Sequence, residues 1–296
     1  MVLSLWVMNK IKGHLQGIAS STTFGLIPLF SVPLLLSGMP PASVLVFRFG
    51  IASVVTLLLA LVGGVSLRVR PSLMVWYLGL GVLYFFSAVL LLSGYNYMST
   101  GVATVLHFSY PVFVALIMAL GFGERLSMAS ILAILMALCG VVLLSGITSG
   151  VSGVSLVGVG IVLASGLAYA LYIVIVNRSS IGREHPLRLS FYILGLAALL
   201  CLAYSQTGDG LIFPDGLYGW LNALGLAVIA TVVSNVMLIH AISNIGSTPT
   251  AVMGALEPMT AVVVGTVAFG EVLSPAGLVG VVLVLSAVVT LVFRKR

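Results

Sequence analysis

The chain has 296 residues, of which 61% are hydrophobic and 6% charged, and its formal net charge is +6. Soluble domains are roughly 45–50% apolar even with glycine counted, and about 25% charged. So few charges cannot cover a water-exposed surface, which excludes an ordinary soluble protein and implies one that faces lipid.

The first eight residues are mostly apolar, and Lys10 and Lys12 come after them, the wrong order for a secretory signal. Residues 1–13 are read as a cytoplasmic N-terminal segment. A membrane helix needs about 20 mostly apolar residues. Splitting the chain at its Gly/Pro/Ser-rich and charged breaks predicts ten transmembrane helices, at 14–36, 41–63, 72–95, 100–121, 126–146, 154–177, 187–205, 217–241, 247–269 and 275–293. The connections are short, so sequential helices should run antiparallel. The fold class expected is an all-α integral membrane protein.

In the first helix Gly17, Ser21 and Gly25 recur every four residues, a spacing that lets helices approach closely. Arg48 lies about 10 Å down the second helix at 1.5 Å per residue. An ionisable side chain in a span is expensive and usually functional; a snorkelling, packing arginine is the other reading. Tyr77 and Tyr84, with Ser87 nearby, share a face of the third helix. His107 and Tyr110, three apart, share a face of the fourth. His107 can titrate near neutral pH, or it can be a hydrogen-bonded core residue. Ser165, Tyr169 and Tyr172 form a stripe on the sixth helix, and Thr231 and Asn235 another on the eighth. Such stripes suit an aromatic, partly polar pocket wall, and equally interhelical hydrogen bonds. Glu257 stands about 15 Å into the ninth helix, near the midplane. Pro258 follows it and removes a backbone donor, which should free a carbonyl one turn back. Glu257 could hold a substrate amine, carry a proton, or pair structurally with Arg48 or a helix end. Cys139 and Cys201 fall in apolar runs and resemble small buried hydrophobes. No His/Cys cluster suggests a metal, and no cofactor is expected.

Lys and Arg set orientation. With both termini in the cytoplasm, the inside segments hold Lys10, Lys12, Arg68, Arg70, Arg125, Arg178, Arg183, Arg188, Arg294, Lys295 and Arg296, eleven of the twelve basic residues. Asp209 and Asp215 fall in an outer loop. The positive charge is thus a topology signal scattered over several loops, and a nucleic-acid partner is excluded.

Residues 122–127 read FGERLS and residues 269–274 read FGEVLS, 147 positions apart. The same shift brings Val105 onto Val252, Pro111 onto Pro258 and Tyr110 onto Glu257. Each half is then five helices, an odd number, so the second half must be inverted. The expected architecture is two inverted five-helix repeats, 14–146 and 153–294, as in many secondary transporters. The phrase itself reads as a boundary: Gly123 and Gly270 end a helix, Ser127 and Ser274 cap the next, and Glu124 and Glu271 lie at the interface.

STGVATVLHFSYPVFVALIMALGFGERLS and STPTAVMGALEPMTAVVVGTVAFGEVLS resemble the signature of EamA-type members of the drug/metabolite transporter superfamily. FGLIPLFSVPLLLSGMPPASVLVFRFGIA resembles that family's opening helix pair, with Arg48 at its common arginine position. ASGLAYALYIVIVNR resembles its sixth helix. Phe24 departs from the tryptophan many members carry in the first helix. The resemblance implies a bacterial inner-membrane exporter of a small organic metabolite such as an amino acid, working by alternating access around a central cavity, as a monomer or homodimer. The substrate site expected is Arg48, Tyr84, His107, Tyr110, Tyr169, Asn235 and Glu257, with Glu257 coupling to protons. A zwitterion suits the pair, carboxylate to Arg48 and amine to Glu257. An exchanger of phosphorylated sugars or nucleotide-linked metabolites is the alternative, though a phosphate should want two or more buried basic groups. No GxxxxGK[ST] loop offers ATP drive. With no HExxH and no aspartate in a span, an intramembrane enzyme is not expected.

Overall fold

A computed structural model of the chain describes residues 2–94, 96–97, 103, 106–144, 155–208, 210–269 and 275–292. Gly270, Glu271 and Ser274 of the second phrase, Val105, Asp209, and the C-terminal Arg294, Lys295 and Arg296 lie outside the described residues. Secondary structure among the described residues is helical. The elements are α1 (Val2–Phe24), α2 (Ile27–Leu36), α3 (Pro41–Val62), α4 (Pro71–Gly94), α5 (Tyr110–Phe122), α6 (Met128–Leu144) and α7 (Leu156–Arg178). They continue with α8 (Pro186–Ser205), α9 (Gly216–Ala227), a π turn (Val228–Val233), α10 (Ser234–Ile245), α11 (Ser247–Met253), α12 (Leu256–Phe269) and α13 (Pro275–Val292). Among the described residues, seven helical stretches are long and apolar enough to cross a bilayer, and shorter apolar helices fall at α5, α6 and α13. Leu58, Val62, Leu120, Leu132, Leu199, Val267 and Val282 are exposed on the outer surface, the apolar coat that hydrocarbon requires.

Three of the expected helices are broken, each just before a proline. α1 gives way to α2 at Gly25–Leu26, ahead of Pro28. A turn at Phe108–Ser109 precedes Pro111, and α11 passes to α12 at Gly254–Ala255, ahead of Pro258. A proline has no N–H to give its helix, and the backbone tightens to bonds three residues back. Leu26 N donates to Thr23 O (3.2 Å), Ser109 N to Leu106 O (3.1 Å) and Glu257 N to Gly254 O (2.9 Å). The last bond corrects the expectation of a free carbonyl before Pro258: the N–H of Glu257 itself takes it. Glu257 therefore stands in the first turn of α12, not deep in a continuous helix.

The boundary reading of the first phrase agrees with the geometry. Gly123 closes α5 in the left-handed region (φ 63°), a conformation costly to any residue with a Cβ. Ser127 Oγ then accepts the N–H of Ser130 (3.2 Å) at the start of α6. Glu124 is ion-paired with Arg178 at the end of α7 (3.3 Å).

The main helix contacts join the two halves. α3 packs on α8, α6 on α13, α1 on α10, and α4 on α7. Small residues and hydroxyl-to-backbone bonds close these crossings. Gly140 leaves room for Gly280 O and Val284 of α13, and Gly195 for Ser53. Ser53 Oγ donates to Phe191 O (3.0 Å). Ser20 Oγ on α1 donates to Ser234 O on α10 (2.8 Å), and Ser165 Oγ on α7 to Ser87 O on α4 (2.6 Å). The accepting serines, 87 and 234, are themselves 147 positions apart. On the first helix, Gly17 abuts Met253, and Gly25 abuts Thr260 and the carbonyl of Glu257. The small-residue face thus seats the broken ninth segment. Cys201 is buried as expected, but Cys139 is exposed, since a thiol on a lipid-facing surface has no reason to hide from its solvent.

Candidate substrate cavity

A cavity of about 260 Å³ lies where the breaks converge. Gly25 and Pro28 of the first break line it, with His107 of the second and Glu257 and Pro258 of the third. Leu35, Pro41, Leu91 and Leu92 line its far end, so the space reaches the end of the bundle where α2 turns into α3 and α4 finishes.

Arg48 projects into the cavity from α3. Its Nε donates to Thr231 Oγ1 (2.9 Å), and its guanidinium carbon lies 5.3 Å from the centre of the Phe49 ring. Thr231 belongs to the π turn, and its own hydroxyl proton goes to Leu226 O (2.8 Å). A hydroxyl has one proton and two lone pairs, so Thr231 is committed as the acceptor for Arg48. π turns occur mostly as single-turn insertions within α-helices, frequently at functional sites; here the turn carries the threonine that holds the arginine. This hold leaves both η nitrogens of Arg48 for a ligand. Thr231→Val should weaken substrate binding about tenfold, the worth of a hydrogen bond to a charged group, while thermal stability in detergent changes little. Equal binding by the variant would show that Arg48 needs no such hold.

Glu257 lines the same cavity from the N-terminal turn of α12, where the helix dipole favours a negative charge. Arg48 and Glu257 do not pair with each other; among the described residues the ion pairs are Arg178–Glu124 and Arg188–Glu184. Arg48 and Glu257 thus share one cavity without an ion pair between them.

Aromatic rings form the wall. Tyr84 packs on Phe49 and Tyr172 (ring centres 5.4 Å in each case), Tyr172 stacks on Tyr169 (6.0 Å), and Tyr169 meets Tyr110 (4.9 Å) and His107 (5.8 Å). His107 Nδ1 lies 2.9 Å from Ser165 Oγ. The hydroxyl proton of Ser165 is already given to Ser87 O, so Nδ1 must carry the proton and donate. That leaves Nε2 as an acceptor for a ligand.

Of the residues expected at the site, Arg48, Tyr84, His107, Tyr169 and Glu257 line the cavity. Tyr110 stands behind the wall, its hydroxyl packed so closely on Gly254 that a Cβ there would collide with it. Asn235 is fully buried away from the cavity. It donates to Ser190 Oγ (3.3 Å) and accepts from Tyr172 (3.1 Å), tying α10 to α7 and α8. It is therefore a strut for a wall residue and makes no direct contact with the space. Tyr77 faces away from the cavity and donates to Glu184 (3.3 Å). Phe24 and Phe49 line it without having been singled out as site residues. In the sequence Phe24 is marked only as the position where many family members carry a tryptophan, and Phe49 has no signal beyond standing next to Arg48.

The architecture is that of a multi-pass helical membrane protein with a charged cavity under three proline-broken helices. The chain belongs to the EamA-like transporter family, which matches residues 11–146 and again residues 156–293. Among curated relatives, an uncharacterized transporter of Synechocystis sp. is 32% identical over 225 residues, covering 74% of this chain and 66% of that protein. An uncharacterized transporter of Archaeoglobus fulgidus is 28% identical over 215 residues, covering 71% of this chain and 74% of that protein. A crystal structure of TM-score 0.82 and 21% identity covers 94% of this chain and 95% of its own, a likeness of fold.

Proposed function

We propose that this protein is a secondary active exporter of a small zwitterionic metabolite, an amino acid or a close relative, exchanging it for protons across a bacterial inner membrane. The observation that carries this reading is the unpaired Arg48 and Glu257 in one cavity. A substrate carboxylate would bind the η nitrogens of Arg48 in a bidentate fashion. Its amine would meet Glu257, and the aromatic wall would hold its side chain. Tyr84, His107 and Tyr169 are the remaining contact residues, with Tyr110 and Asn235 bracing the wall. Protonation of Glu257 would release the amine, which couples substrate and proton at one carboxylate.

We read the fold as ten spans in two inverted repeats with both termini in the cytoplasm. Three features support this: the 147-residue shift, the paired breaks before Pro111 and Pro258, and the helix contacts. The second and seventh spans pack on each other, as do the fifth and tenth. The contact of the first with the eighth is mirrored by that of the sixth with the third. A pseudo-two-fold axis relates contacts in this way. In this orientation the cavity opens outward, and exchanging the conformations of the halves would open it inward.

Exchange of phosphorylated sugars is the second reading within transport. Among the described residues, Arg48 is the one basic side chain besides His107 on the cavity wall, which favours a single carboxylate over a phosphate.

The test is exchange by purified protein in liposomes. Pooled amino acids and metabolites are offered with and without a pH gradient, and Glu257→Gln is run beside the wild type. One compound should move and respond to the gradient, and the variant should lose that response. If the variant responds as the wild type does, Glu257 is structural and the coupling reading fails.

A further inference from the structure

A second, larger space of about 570 Å³ lies on the outer side of the bundle, between α3, α4 and α8. Gly50 and Ser53 of α3 floor it, and Gly195 and Ala198 of α8 face them. Its rim is Met74, Leu78, Leu199 and Leu202, all exposed. The groove is therefore open to the surroundings and apolar along its length. In a bilayer those surroundings are hydrocarbon, and a lasting void there forfeits contacts on every wall.

Along α8 the groove runs from Phe191 to Leu202, about 16 Å at 1.5 Å per residue. That is about half the hydrocarbon thickness of a membrane, the reach of one acyl chain. The end nearer the α4 N-terminus is marked by Tyr77 and Tyr192, whose rings meet edge to face (5.2 Å). Tyr192 Oη donates to Leu67 O (2.8 Å), and Arg188 Nε donates to Ser66 O (2.5 Å) while pairing with Glu184. The 66–70 segment is thus pinned at the mouth of the groove. It carries Arg68 and Arg70, both exposed and in neither ion pair of the described residues.

We infer that this groove is a site for an anionic phospholipid, one acyl chain lying between α3, α4 and α8 and the phosphate headgroup at Arg68 and Arg70. The site does not depend on the transport reading. In the proposed orientation it lies in the cytoplasmic leaflet. The backs of Gly50 and Ser53 form its floor, so the seated chain presses on the same helix that carries Arg48.

The test uses the full chain, purified with an equimolar mixture of phosphatidylglycerol and phosphatidylcholine and measured by native mass spectrometry. One phosphatidylglycerol should be retained about 30-fold over phosphatidylcholine, as two surface arginines would give. Ala198→Phe, which fills the space opposite Gly50, should abolish retention of either lipid. The double variant Arg68→Gln/Arg70→Gln should keep one lipid and lose the preference. A phosphatidylglycerol bearing a photoreactive acyl chain gives a readout that needs no variant, and it should label 191–202 peptides above all others. Equal retention of the two lipids, retention unchanged in Ala198→Phe, even labelling over Leu58–Val62 and Leu132–Leu135, or a dimer that buries the groove would each overturn the assignment.

Discussion

Arg48→Gln is expected to weaken substrate binding about 100-fold in detergent, with little change in thermal stability. A charge-assisted hydrogen bond is worth about 1.5–3 kcal/mol, and each 1.4 kcal/mol is tenfold in affinity. A bidentate carboxylate contact would sit at the upper end of that range. Stability should hold because Thr231 keeps its bond to Leu226 O whether or not an arginine donates to it. Glutamine also removes a half-buried charge that is in neither ion pair of the described residues. Arg48→Lys should not restore binding, since an ammonium cannot make the planar two-point contact and cannot at the same time reach Thr231.

The same measurement can locate the substrate between the two charges. If one molecule bridges Arg48 and Glu257, Arg48→Gln combined with Glu257→Gln should cost clearly less than the two single losses added together. Once one anchor is gone, the other holds a ligand that is no longer fixed in place. Strict additivity, measured by calorimetry on purified protein with the compound found in exchange, would place the two residues on separate ligands and end the zwitterion reading.

The charges of the cavity were legible from sequence because an ionisable residue in a span has few reasons to be there. Arg48, His107 and Glu257 therefore stood out, and so did Tyr84 and Tyr169, which share helical faces with other polar residues. What composition and spacing could not supply was the direction of each side chain once the helices broke. Glu257 read as ten residues deep in one helix, whereas the turn at Gly254–Ala255 makes it the start of another. Pro111 and Pro258 were visible as repeat partners, but Pro28 breaks its helix in the same way and has no partner in the second half. Asn235 and Thr231 lie four apart on one stripe, yet the π turn between α9 and α10 separates them. Thr231 holds Arg48 at the cavity wall, and Asn235 goes to the core. The repeat itself was readable in six-residue phrases, and the helix contacts carry it much further than those phrases do.

Gly254→Ala is the variant expected to disturb the protein most for a single added methyl group. Gly254 has ordinary right-handed backbone angles (φ −53°, ψ −19°), so alanine meets no conformational strain there. The cost comes from Tyr110, whose hydroxyl occupies the position of the new Cβ, and from Ala251 O and Tyr110 Cζ, each 2.8 Å from it. Overpacking of this kind costs about 1–3 kcal/mol, enough to lower the melting temperature measurably. Tyr110 belongs to the start of α5, just past its break, and Gly254 to the break before α12. The contact therefore joins the paired discontinuities of the two halves, where the proposed exchange of conformations would have to be accommodated. Tyr110→Leu removes both the hydroxyl and the ring carbon that collide. Alone it should destabilise the protein by emptying part of the wall behind Tyr169 and His107. Combined with Gly254→Ala it should cost at least about 1 kcal/mol less than the sum of the two, because one change makes room for the other. Additive losses would mean that the two breaks move apart easily and are not packed on one another. A recovered melting temperature with exchange still impaired would place the importance of Tyr110 in the movement between the halves.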